Sequence, residues 1–114
     1  QGKLVRVVRG EVLDVAVDIR KKSKTFGKFF SVILNEENHY QLYMPPGIAH
    51  GFYVTSKFAD FEYKCTDYYS PQNEKGVLWS DPDLNINWPS KKPIVSTKDS
   101  NFKRLKDISS EDLL

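Results

Sequence analysis

Apolar and polar residues alternate along the first half of the chain, and the alternation predicts β-strands. The clearest segment runs from Glu11 to Ile19. One face of an extended strand there would carry Leu13, Val15, Val17 and Ile19. The opposite face would carry Asp14, Ala16 and Asp18. This pattern is typical of a strand that faces a core on one side only.

Similar runs predict strands at 3–9, 29–34, 40–44, 51–55 and 61–69. Gly10 separates the first two strands, and Asn35 to Asn38 is predicted to join strands 29–34 and 40–44 as a hairpin. Short strands joined by short turns indicate an all-β sandwich or jelly-roll barrel. The tail contains several prolines and reads as irregular, and residues 109–112 could cap a short helix. We expect a single domain over residues 1–114.

Composition narrows the function without deciding it. The 17 basic and 15 acidic residues give a net charge of +2, which does not indicate nucleic-acid binding. The basic clusters Arg20–Lys22 and Lys91–Lys92 are predicted to be solvated. A lone cysteine, Cys65, excludes an internal disulfide framework and favours a reducing, cytoplasmic setting. No run approaches the ~20 apolar residues of a membrane span, so no membrane association is expected.

A turn rich in proline and glycine directs attention to one histidine. Pro45, Pro46 and Gly47 fix a tight turn, which would deliver His50 to the mouth of a sheet. The other histidine, His39, lies beside the predicted hairpin. A metal site usually needs three or four ligands, so we predict a site without metal. The alternative is that His50 merely caps the turn.

Other residues have ordinary structural explanations. Tyr63, Tyr68 and Tyr69 fall in one predicted strand, with the first and third on the same face, and they could simply be sheet aromatics. Trp79 and Trp88 are predicted to be core residues. Asp99 could be a surface acid or a helix cap.

Several segments in the same order together resemble the dTDP-4-dehydrorhamnose 3,5-epimerase family. These are Gln1 to Asp18, Pro45-Pro46-Gly47-Ile48-Ala49-His50-Gly51-Phe52, Tyr63-Lys64-Cys65-Thr66-Asp67-Tyr68-Tyr69 and Trp79-Ser80-Asp81-Pro82. The second segment also fits Pro-x-Gly-x-x-His, the second signature of the cupin barrels. The resemblance extends from Gln1 to about Asp99.

The resemblance implies a cupin-type jelly roll that dimerises, needs no cofactor or metal, and acts on a dTDP-linked 4-keto-6-deoxy sugar. It implies that the product leads to dTDP-L-rhamnose for bacterial surface polysaccharides. The implied catalytic residues are Tyr63 as the acid, Lys3 near the C4 oxygen, and Asp99 orienting the catalytic histidine. The implied substrate-binding residues are His50, Tyr69, which would stack on thymine, Glu74 and Lys98.

One part of the family pattern is missing from the sequence. The family's base is a histidine in an Arg-Gly-x-His-x-Gln segment that would precede Gln1. The chain also begins without methionine. We therefore expect it to be the C-terminal portion of a longer epimerase. We expect residues 1–114 alone to be poorly soluble or dependent on a partner chain, and to show no epimerase activity. Two alternatives remain: a non-catalytic cupin-like module that binds sugar nucleotides, and a related epimerase that inverts only C3 or C5.

Overall fold

Two antiparallel sheets form the framework of the computed structural model, which describes residues 2–65, 76–90 and 93–108. One sheet has the strand order β4-β1-β6 and the other the order β3-β2-β5. The strands are β1 Lys3–Arg9, β2 Glu11–Asp18, β3 Phe29–Asn35, β4 Gln41–Met44, β5 Ile48–Val54 and β6 Asp60–Cys65. We name each sheet after its central strand, so the first is the β1 sheet and the second is the β2 sheet. Their arrangement confirms the predicted all-β, cupin-type jelly roll.

The chain crosses from the β1 sheet to the β2 sheet at Gly10. This residue has a φ of 81°, in the left-handed region that favours glycine. A Cβ atom at this position would lie 2.2 Å from the carbonyl oxygen of Phe58. The predicted break between the first two strands is therefore correct, and both backbone conformation and close packing require glycine there.

The predicted hairpin between β3 and β4 is wrong. β3 pairs with β2, whereas β4 pairs with β1, so the connecting segment crosses between sheets. The Asn35 side chain accepts a hydrogen bond from the backbone N–H of Asn38 at 2.7 Å, and the Asn38 side chain donates one to the Ile33 carbonyl at 2.9 Å. His39 follows with a φ of 56°. Such local turn chemistry ends a strand without determining which sheet the next strand joins.

The central strand β2 is buried on both faces, which corrects the expectation of a single core-facing side. Its even-numbered residues point between the sheets, where Val12 packs with Val5, Val7, Leu34 and Met44. On the outer face, Val15 and Val17 pack against Leu84 and Leu105 of the C-terminal segment. The alternation predicted burial of the Val15 and Val17 face, but it did not predict burial of the Asp14 and Ala16 face, because the sheet that covers that face is built from strands elsewhere in the chain.

The C-terminal segment is irregular, as predicted, with two short helical turns. They are α1 Thr97–Ser100 and a 3₁₀ turn Leu105–Asp107. Buried Asp81 holds the segment together, because its carboxylate accepts hydrogen bonds from the backbone N–H groups of Asp83 and Leu105. Trp88 packs against the outer core, as predicted, and its indole N–H donates to the Trp79 carbonyl. The helix expected at 109–112 lies outside the described residues.

The loop after β2 is organised around the carboxylate of Asp18. Arg20 donates to both carboxylate oxygens at 3.0 Å while its side chain stays 44% exposed, so it is solvated, as predicted, and also pairs with Asp18. The hydroxyl groups of Ser23 and Thr25 donate to the same carboxylate. The Arg20 guanidinium and these hydroxyl groups together hold the pKa of Asp18 well below its usual range, and Asp18 in turn raises the pKa of Arg20.

We predict that the intact protein loses stability in acid partly because Asp18 becomes protonated. A carboxyl group whose pKa is depressed by folding contributes stability above its unfolded pKa of about 3.9, and that contribution is lost as the pH falls further. Asp18→Asn should lower the free energy of unfolding at pH 7 by about 1–3 kcal/mol, and it should flatten the loss of stability below about pH 4. Urea denaturation across pH measures both effects.

Asp60→Asn provides the control, because Asp60 is an exposed carboxylate at the start of β6. It should leave both the stability at pH 7 and its acid dependence close to those of the wild type. An Asp18→Asn protein with the wild-type acid profile would show that the Asp18 cluster does not contribute to stability.

Candidate functional site

Two of the predicted catalytic residues lie on the inner face of the β1 sheet. Tyr63 pairs with the buried Val5, and Lys3 pairs with Cys65. Because paired residues share a face and alternate residues point the same way, Lys3 and Tyr63 project between the two sheets as diagonal neighbours. Sequence alternation alone placed them in strands, but strand pairing brings them together.

His50 lies on the inner face of the β2 sheet. The predicted strand 51–55 begins earlier than expected, at Ile48, so His50 is within β5 and pairs with Ala16. Its side chain is largely buried and contacts Asp14 of β2. The alternative that His50 merely caps the proline turn is therefore wrong, because its imidazole bonds to the neighbouring strand.

Asp14 is a candidate site residue that the sequence analysis did not identify. Its carboxylate is fully buried, and its Oδ1 lies 2.5 Å from His50 Nε2. Within the described residues, its Oδ2 has no hydrogen-bond partner. A carboxylate bonded to one ring nitrogen fixes the orientation of an imidazole and leaves Nδ1 for other contacts. The sequence offered one indication of this contact, namely that an acidic residue shares a face of β2 with the apolar residues Val12 and Ala16.

An aromatic row joins the two sheets beside His50. It consists of Phe52 and His50 from β5 and of Phe61 and Tyr63 from β6. The Phe52 and Phe61 rings stack with centroids 4.4 Å apart and an interplanar angle of 11°. Phe61 also stacks on the His50 ring at 5.9 Å and contacts the Tyr63 ring at 6.4 Å.

The inner face is accessible along the side where β5 and β6 meet. Tyr63 is 60% exposed and Phe52 is 45% exposed, although both project between the sheets. Lys3 is half-buried. This side therefore presents an ammonium, a phenol and an apolar ring to a ligand, beside a histidine held by Asp14.

The remaining predicted residues lie elsewhere or outside the described ranges. Asp99 and Lys98 are exposed in α1. The helix cap there is Ser96, whose hydroxyl accepts from the Asp99 backbone N–H at 3.1 Å, so Asp99 is not the cap. Tyr69 and Glu74, like Tyr68, are outside the described residues.

The described ranges show no cluster of three or more histidine, cysteine, aspartate or glutamate side chains arranged to hold a metal ion. Cys65 is a free, exposed thiol at the end of β6. None of the helices in the described part of the chain has the length and hydropathy of a transmembrane span.

We predict that Asp14 and His50 are coupled in stability. His50→Ala would leave the buried Asp14 carboxylate without its one observed partner, which should cost roughly 3 kcal/mol in the free energy of unfolding. Adding Asp14→Asn should recover much of that loss, because the uncompensated charge is removed. A double-mutant cycle by urea denaturation of the intact protein measures the coupling. If the double variant is less stable than His50→Ala by the full cost of Asp14→Asn, the pair is not coupled.

Comparisons with known proteins agree with this fold. The family model for dTDP-4-dehydrorhamnose 3,5-epimerase matches residues 1–107. An enzyme of that name from Shigella flexneri is 55% identical over 107 residues, covering 94% of this chain and 59% of that protein.

Solved structures give the same result. A dTDP-6-deoxy-D-glucose-3,5-epimerase from Legionella pneumophila, in complex with dTDP-4-keto-L-rhamnose, superimposes with a TM-score of 0.94 at 53% identity, covering 98% of this chain and 60% of that one. A 3'-monoepimerase from Streptomyces bikiniensis, in complex with dTDP-quinovose, superimposes with a TM-score of 0.88 at 36% identity, covering 92% and 54%. The chain thus spans about 60% of the first two of these relatives. On sequence and fold together, it belongs to the dTDP-4-dehydrorhamnose 3,5-epimerase family.

Proposed function

We propose that this chain is part of an epimerase that inverts C3 and C5 of dTDP-4-dehydro-6-deoxy-D-glucose to give dTDP-4-dehydro-L-rhamnose. The observation that carries the proposal is the accessible inner face of a family member. There, Lys3 and Tyr63 project from one sheet, and the Asp14–His50 pair belongs to the other. The substrate class comes from the relatives, one of which is solved with dTDP-4-keto-L-rhamnose.

The proposed chemistry explains why these residue types are needed. Inversion beside the C4 ketone removes a proton from one face of the sugar and returns a proton to the other. The intermediate carries negative charge on the C4 oxygen, which a nearby cation or hydrogen-bond donor stabilises. Lys3 supplies the cation, and the Tyr63 phenol donates the returning proton. His50, oriented by Asp14, contacts the substrate through Nδ1.

The other assignments rest on family resemblance. The base is a histidine of the family's Arg-Gly-x-His-x-Gln segment, and Asp99 orients it. Tyr69 stacks on thymine, and Glu74 and Lys98 bind the nucleotide sugar. The enzyme acts without a cofactor, as a homodimer in the cytoplasm, and its product enters surface polysaccharide synthesis by way of dTDP-L-rhamnose.

A related epimerase that inverts one carbon is the second candidate. The Streptomyces bikiniensis 3'-monoepimerase shares this fold at a TM-score of 0.88. Both reactions use the same proton chemistry at a carbon beside a ketone. Product analysis separates them, because two inversions give the L-sugar, whereas inversion of C3 alone keeps the D-configuration at C5.

Tyr63→Phe should slow turnover of the full-length enzyme by about 10²–10⁴, the usual contribution of one general acid. Substrate binding should change little, because the ring remains. Solvent deuterium exchange at C3 should persist, since the base is intact. NMR of dTDP-4-keto-6-deoxyglucose in D₂O, together with product analysis, reports both quantities.

Tyr43→Phe is the matched control for this experiment. Tyr43 has similar exposure, at 56%, but pairs with Leu4 on the outer face of the β1 sheet. It should turn over at the wild-type rate. Full turnover by Tyr63→Phe would remove Tyr63 from the mechanism.

Activity should be unchanged by a metal chelator. The reason is the resemblance to a family that works without metal, together with the absence of a His-x-His pair from the sequence. Elemental analysis of the active, purified protein should find no stoichiometric metal. Activity lost on EDTA treatment and restored by one added metal ion would contradict the metal-free proposal.

A further inference from the structure

The site is divided between two sheets whose strands hydrogen-bond only within each sheet. β6 carries Tyr63 and pairs with β1, whereas β5 carries His50 and pairs with β2. No backbone pairing among the described strands joins β5 to β6. Apart from the chain connections at residue 10 and residues 55–59, the separation between the two halves is set by side chains that pack between the sheets.

Phe61 makes the ring contacts between β6 and β5 that are found in the described part of the chain. Its ring stacks on Phe52, lies against the His50 ring and touches Tyr63. Phe61 is half-buried and also packs against the core between the sheets. One ring thus contacts the Tyr63 phenol and the two inward-facing aromatic rings of β5, His50 and Phe52.

We propose that Phe61 is a positioning residue that sets the placement of Tyr63 relative to His50. It acts through its stack on Phe52, which ties the β6 half of the site to the β5 half. The inference rests on the proposed function, because it assigns Phe61 a role in the proton transfer made by Tyr63. Phe61 itself exchanges no proton with the substrate.

The expected consequence is confined to one step of the reaction. Proton transfer requires a donor within about 2.6–3.2 Å of its target, and a displacement of about 1 Å can cost roughly 10²-fold in rate. Losing the stack should misplace Tyr63 and slow the return of the proton. Removal of the first proton should continue, because it depends on the base. Phe61 variants should therefore exchange protons with solvent more often for each product formed.

The experiment uses the full-length enzyme with Phe61→Leu, Phe52→Leu and the double variant. Phe61→Leu should lower kcat by about 10–100-fold with little change in KM, following the cost of misplacement. The ratio of C3 exchange to product formation should rise about tenfold by the same reasoning. The double variant should be no slower than Phe61→Leu, because both substitutions break one stack.

Phe58→Leu is the control, since Phe58 is 63% exposed and lies outside the aromatic row. It should keep the wild-type exchange ratio. If Phe61→Leu fails to fold, Phe61→Met keeps nearly the same volume without a planar ring and is held to the same expected ratio.

An unchanged exchange ratio in a folded Phe61 variant would overturn the inference, as would equal losses of exchange and turnover. Independent, multiplicative effects of the Phe61 and Phe52 substitutions would overturn it too. These outcomes are distinct from failure of the proposed function, which would appear as a wild-type enzyme that forms no epimerised product.

Discussion

The burial of β2 on both faces is the constraint on which the fold and the site depend. Its outer face is covered by Leu84 and Leu105 of the C-terminal segment, and its inner face packs against the β1 sheet. The register of this strand is held firmly, because a shift by one residue would turn Val15 and Val17 away from their apolar cover and bring the Asp14 carboxylate against it. Asp14 lies in this strand, so its position is fixed by packing on both sides.

The buried position of Asp14 explains why its carboxylate is paired with His50. A fully buried carboxylate is costly unless a partner satisfies it, and the partner observed here is the His50 imidazole. A protein that needed only stability would place an apolar residue between Val12 and Ala16. The Asp14 carboxylate fixes the orientation of the His50 imidazole.

Large aromatic side chains line the accessible side of the barrel. Phe52 and Tyr63 project inward, yet both are well exposed. A surface of this kind, next to a lysine and an oriented histidine, suits a ligand that has both apolar and polar parts. The stack of Phe52 on Phe61 links the two sheets at this point, so the shape of the ligand surface and the spacing of the chemical groups depend on the same contact.

Much of the local structure could be predicted from the amino-acid sequence. Alternation located β1 and β2 almost residue by residue, and the all-β class followed from short strands and turn residues. Resemblance assigned roles to Lys3, His50 and Tyr63, and strand pairing then placed all three on inner faces. Alternation and turn residues depend only on residues close to each position in the chain, so strands and turns can be recognised from the sequence.

Three features depend on the tertiary structure and could not be predicted. They are the sheet that each strand joins, the residues that cover each face of β2, and the contacts between side chains distant in the chain. The connection from β3 to β4 resembled a hairpin because turn residues encode a reversal of the chain but not its destination. Asp14 looked like the solvent side of a half-buried strand, but its face packs against the β1 sheet, which encloses it. Its bond to His50 joins residues 36 positions apart, and such a contact arises from strand register, to which no local pattern corresponds.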